Sequence, residues 1–85
     1  MKRSTDEIRY LILKALVKKH KDNIESIRED IGTGLPSILH NVEDLEIFGF
    51  VKLNEMIFGK RKYRELEITK EGEIFFDKIR KKFER

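Results

Sequence analysis

Lys60, Arg61, Lys62 and Arg64 put four cations into five consecutive positions directly after Gly59. Side chains crowded in this way repel one another and gain nothing from packing. A row of phosphates would relieve the repulsion, with counterions released at each contact. The plainer alternative is a turn kept soluble by its charge. A second group, His40, Glu43 and Asp44, stands at i, i+3 and i+4 and shares one helix face. It offers two or three metal donors at most, and no second cluster completes a coordination shell, so no metal site is expected. His20 follows a lysine run and is expected in solvent. Carboxylates are plentiful, but the sequence contains no glycine-rich phosphate loop, nucleophile elbow or zinc-protease pattern. A chain of 85 residues has little volume for a pocket that would shift their pKa values, so neither enzymatic activity nor a cofactor is expected.

These groups need elements to hold them. Ser4 with Glu7 fits a capping box for a helix over 5–20. Ile8, Leu11, Ile12, Ala15 and Leu16 form its core stripe, and Tyr10, Leu13 and Val17 form a second stripe on another side. Asn23 can cap a helix over 24–31, in which Ile24, Ile27 and Ile31 share a face. Gly32-Thr33-Gly34 is a tight turn. The spacing predicts a third helix over 35–48, with Pro36 in its first turn, Ile38, Val42 and Leu45 inward, and Gly49 as its stop. Residues 50–68 read as a β-hairpin whose tip is Gly59 to Lys62, with Phe58 and Tyr63 paired across it. Thr69 can cap a last helix over 70–84, striped by Phe75, Phe76, Ile79 and Phe83.

The length suits a single domain spanning 1–85, of the α+β class and mostly α. Cysteine is absent, which excludes a disulfide framework and thiolate metal sites. No apolar run approaches the roughly 20 residues of a membrane span, and the N-terminus lacks a secretory h-region, so no membrane partner and a cytoplasmic location are expected. The lack of glutamine and cysteine, with abundant lysine, glutamate and isoleucine, gives a thermophile-like composition. Charge is unevenly placed: residues 1–21 balance at +5, 22–49 at −6, 50–72 at +2 and 73–85 at +2. The ends and the hairpin are basic, and the middle is acidic.

Two helices joined by a glycine turn, followed by a hairpin, form a helix-turn-helix with a wing. Three stretches carry a family likeness: Ile31-Gly32-Thr33-Gly34-Leu35-Pro36-Ser37-Ile38, Leu45-Glu46-Ile47-Phe48-Gly49-Phe50-Val51, and Leu66-Glu67-Ile68-Thr69-Lys70-Glu71-Gly72. In this order and spacing the chain resembles the winged-helix transcription regulators, especially small archaeal and bacterial members. The resemblance implies double-stranded DNA as partner, with the third helix in the major groove and the wing on the flanking backbone or minor groove. Carried onto this sequence, the groove-facing residues are Pro36, Ser37, Leu39, His40 and Glu43, and the wing contacts are Lys60, Arg61, Lys62 and Arg64. Basic residues of the N-terminal segment would add phosphate contacts.

The third helix departs from the family pattern, which favours Arg, Lys, Gln or Ser on the outer face. Here Glu43 and Asp44 would repel phosphates, while Leu39 and Ile47 read as exposed apolar groups among acids. That leaves a second reading open, a protein-interaction module that presents this helix to a protein partner. A third is an architectural protein with little sequence preference. The family often dimerises through its terminal helices, and Tyr10, Leu13, Val17 and Ile74 are expected to form a homodimer interface. Coverage of the second stripe by the hairpin or last helix of the same chain is the alternative.

Overall fold

The computed structural model of the protein describes residues 4–84. Of the basic residues of the N-terminal segment, Lys2 and Arg3 lie outside the described residues. The element order is α1 (Thr5–Lys19), β1 (Lys21–Asn23), α2 (Ile24–Ile31), α3 (Leu35–Ile47), β2 (Val51–Phe58), β3 (Arg61–Ile68) and α4 (Lys70–Phe83). Three helices start where a side chain accepts a free backbone N–H. Ser4 Oγ accepts from Glu7 at 3.1 Å, Asn23 Oδ1 from Ser26 at 2.7 Å, and Thr69 Oγ1 from Gly72 at 3.0 Å. At the other end of α3, Gly49 takes φ +82, a left-handed conformation that stops the helix.

The sheet has three antiparallel strands in the order β1-β3-β2. Sequence periodicity gives no sign of β1. Its cause is the end of α1, where His20 takes φ +67 and its N–H closes on Leu16 O at 2.6 Å. The chain then runs out along β3, and His20 O accepts from Ile68 N–H at 3.1 Å. The hairpin turn is also tighter than the sequence suggests. Phe58 pairs with Arg61, so only Gly59 and Lys60 form the turn, and Arg61 and Lys62 belong to β3. Gly59 takes φ +62, and a two-residue hairpin turn of this kind favours glycine first.

α1 is buried from two sides. Ile12, Leu13 and Leu16 are fully enclosed, with Ile27 of α2, Ile38 and Leu45 of α3, and Leu66 of β3 in the same core. α4 covers the remaining flank: the ring of Tyr10 stacks on Phe83 at 4.7 Å and on Phe76 at 5.6 Å. This corrects the expected dimer interface. Tyr10 is only 5% exposed because the last helix of the same chain covers it, and Leu13, at 0%, is enclosed in the core, so neither is available to a second copy. Phe75 stacks on Phe50 at 4.3 Å, which ties α4 to the start of the wing. No helix among the described residues is long and apolar enough to cross a membrane.

Candidate nucleic-acid interface

The wing presents its cations at the end of a two-stranded ribbon. Lys60 sits in the turn and Arg61 next to it; both are exposed, and neither makes an ion pair among the described residues. Lys62 is exposed but its ammonium lies 3.2 Å from Glu55 Oε2. Arg64 is half-buried and directly opposite Glu55 in the ladder. Lys62, Tyr63 and Arg64 also border a shallow hollow of about 290 Å³ with Asn23, Ile24 and Glu25, beside the start of α2. Phe58 and Tyr63 are not ladder partners as expected, since Phe58 pairs with Arg61 and Tyr63 with Met56, but their rings meet diagonally, edge to face at 5.7 Å between centroids.

On α3, Pro36, Ser37, His40 and Glu43 are exposed. Leu39 is not a free apolar group as expected: it is half-buried and packed against the core, because it lies nearer the inner stripe than His40 does. Asp44 is likewise not a bare acid. Arg9 of α1 donates to Asp44 Oδ2 at 2.6 Å and to Asn41 Oδ1 at 3.3 Å. Its guanidinium also lies 5.6 Å from the ring centroid of Phe48. Asn41 is only 3% exposed and uses its amide to donate to Ser37 O at 2.8 Å. One arginine therefore grips two positions of α3 and its C-terminal cap residue, spaced i, i+3 and i+7, and fixes how that helix stands on α1. Sequence reading missed this clamp, although Asn41 falls between Ile38 and Leu45 on the inner stripe, and a polar residue there needs a partner.

His40 lies 3.9 Å from Asp44 but remains 73% exposed at its side chain. His20 is less free than expected: Nε2 is 3.3 Å from Glu67 Oε2 and Nδ1 is 3.9 Å from Glu73 Oε1. Among the described residues no three His, Cys, Asp or Glu side chains converge as a metal site. Of the expected dimer residues, Val17 and Ile74 remain accessible, at 44% and 50% exposure. The outer end of α3 also shows Ile47 and Phe48, 73% and 54% exposed, near the exposed acids Glu43 and Glu46.

No protein-family model and no curated protein sequence matches the chain. Solved structures do. The smu.1704 protein of Streptococcus mutans superposes with a TM-score of 0.81 at 24% identity, over 94% of this chain and 78% of that one. A transcriptional regulator homologue from Pyrococcus horikoshii gives 0.78 at 22% identity, over 85% and 71%. BpsR of Bordetella bronchiseptica, whose DNA binding is regulated by 6-hydroxynicotinic acid, gives 0.71 at 12% identity, over 85% and 50%. With its helix-turn-helix, its hairpin after α3 and its returning α4, the chain is a winged-helix domain, of the fold that transcriptional regulators carry.

Proposed function

We propose that the protein binds double-stranded DNA as a transcription regulator. The observation that carries this reading is the pair Lys60 and Arg61, two exposed cations without an ionic partner among the described residues, at the tip of a projecting ribbon. The fold supports it, since DNA binding is a property of the BpsR protein with the same architecture. In this reading the wing anchors phosphates. Pro36, Ser37, His40 and Glu43 face the major groove and read few base edges. Arg9 cancels the charge of Asp44 and so removes one of the two acids that would repel the backbone.

The functional unit is a homodimer in this proposal, held by the outer faces of α1 and α4 through Val17 and Ile74. Two-fold symmetry would then set two α3 helices towards successive major grooves of a palindromic site. Sedimentation of Val17→Glu with Ile74→Glu tests it. A wild type that is monomeric at micromolar concentration removes this part of the reading.

The test of DNA binding is fluorescence anisotropy of labelled random duplex at several salt concentrations. Saturable binding that weakens with salt is expected. In the Lys60→Ala, Arg61→Ala, Lys62→Ala variant the slope of log K against log salt should flatten by about 0.9 for each phosphate no longer neutralised. No binding at low salt by the folded protein overturns the proposal. It would turn attention to the exposed Ile47 and Phe48 beside Glu43 and Glu46, the specific feature that favours a protein partner at α3.

A further inference from the structure

The wing ends in apolar side chains that the domain does not use. Ile57 and Phe58 are 72% and 64% exposed and lie outside the core cluster. They occupy the last two positions before the turn at Gly59 and Lys60. Successive residues of a strand face opposite sides, so Ile57 shares the side of Val51 and Leu53, and Phe58 shares that of Met56. The tip is therefore apolar on both sides, and packing one side against the domain would still leave the other in water. Distance reinforces the point. The last ladder pair that reaches the core is Leu53 with Leu66. Phe58 lies five positions beyond Leu53, roughly 16 Å at 3.3 Å per residue. Tyr63 braces Phe58 edge to face, so the phenyl is supported from within the ribbon.

Cations flank this tip: Lys60 and Arg61 at the turn, then Lys62, bridged to Glu55, along β3. An apolar point flanked by positive charge is complementary to a target with an anionic rim and an apolar interior. Stacked bases behind two rows of phosphate have that form. Resting on the DNA-binding reading above, we propose that Ile57 and Phe58 form an apolar wedge. The wedge enters the minor groove, unstacks a base step and bends the bound DNA. The dimensions favour a wedge over a lying ribbon. A minor groove is about 6 Å wide, and two strands alone are about 4.8 Å apart before side chains are added. Only the tip side chains can enter, and they do so by opening the groove. Apolar wedges of this sort kink a duplex by roughly 20–90°.

The experiment uses the full chain and an end-labelled duplex of about 30 base pairs, far below the persistence length of DNA. Energy transfer between the ends is read at saturation. Wild type should raise the transfer. The variant Ile57→Ser with Phe58→Ser should bind within about tenfold of wild type, yet leave transfer at the value of free duplex. The variant Ile57→Leu with Phe58→Leu keeps an apolar tip and should restore the bend. Saturation by wild type with no change in transfer overturns the wedge while leaving DNA binding intact, as does equal bending by the serine variant. The wedge is equally overturned if bending is unchanged but the serine variant loses self-association, or loses binding to anionic phospholipid vesicles. The tip would then serve a second copy or a lipid surface. Absence of any wild-type binding at low salt overturns the DNA reading itself, and the wedge with it.

Discussion

The α-carbon of Gly72 packs directly against the carbonyl oxygen of Phe50. A β-carbon built there falls far inside contact distance of that oxygen and 2.9 Å from Ile68 Cγ1. The approach is fixed by its neighbours. Thr69 N–H donates to Phe50 O at 3.0 Å, the Thr69 hydroxyl donates to Gly49 O at 2.7 Å, and the hydroxyl oxygen itself accepts from Gly72 N–H. The Thr69–Gly72 signature therefore sews the first turn of α4 to the start of the wing. Gly72→Ala is expected to destabilise the domain by about 2–3 kcal/mol, because the clash is with backbone and cannot be relieved by a rotamer change. The thermal midpoint should fall by roughly 10–20 °C. A midpoint within two or so degrees of wild type would show that α4 can move away at little cost.

The clamp of Arg9 on α3 gives a second expectation. Arg9→Met keeps much of the stem but strands the Asn41 carbonyl, which is buried, and frees Asp44. A buried acceptor left without a donor costs about 1–3 kcal/mol. Adding Asn41→Leu should recover part of that loss, because the orphaned amide is then removed as well. Chemical denaturation of the two single variants and the double variant checks the coupling. Additive losses would mean that Arg9 and Asn41 act independently.

Tyr10 carries the pH dependence. Its pKa is pushed up to about 12, first by burial and then by Glu84, whose carboxylate accepts a hydrogen bond from the phenol; the charge of Arg80 acts in the opposite sense. The unfolded value is about 10. The fold thus prefers the neutral phenol, and this contribution is complete below about pH 10 and lost as the pH rises towards 12. Wild type should lose stability across that window more steeply than Tyr10→Phe. Parallel pH dependences in the two proteins would remove Tyr10 as the cause.

Local signals were legible in the sequence where one short stretch contains the whole cause. Ser4, Asn23 and Thr69 each accept the N–H three residues ahead, and Phe58 and Tyr63 meet across a turn of two residues. What escaped depends on distant partners. Three residues of β1 carry no periodicity and become a strand only through β3. Tyr10 and Leu13 read as an outer stripe, but α4, more than 50 positions away, closes over Tyr10, and the core encloses Leu13. Arg9 resembled any solvated helix charge, since nothing in its own turn points to Asp44. Among the wing cations, the sequence displayed four equal charges, but the fold divides them. Lys60 and Arg61 have no ionic partner among the described residues, Lys62 is bridged, and Arg64 stands opposite the bridging acid.

That division supplies the last expectation. Glu55 lies opposite Arg64 and within 3.2 Å of the Lys62 ammonium, so it competes with phosphate for the basal cations of the wing. The Lys62–Glu55 pair is exposed, and such pairs contribute only about 0–1 kcal/mol to stability. Glu55→Gln should therefore fold as the wild type does and leave the melting curve nearly unchanged. Its effect should appear on DNA instead. With the carboxylate gone, Lys62 is released to a phosphate, and binding to random duplex should tighten. The salt slope should steepen by about 0.9, the increment for one more phosphate neutralised. The change should disappear when Lys62→Ala is combined with Glu55→Gln, because the gain requires the released ammonium. Anisotropy titrations of the two single variants and the double variant decide it. Equal slopes for wild type and Glu55→Gln would mean that Glu55 does not hold Lys62 back from the backbone.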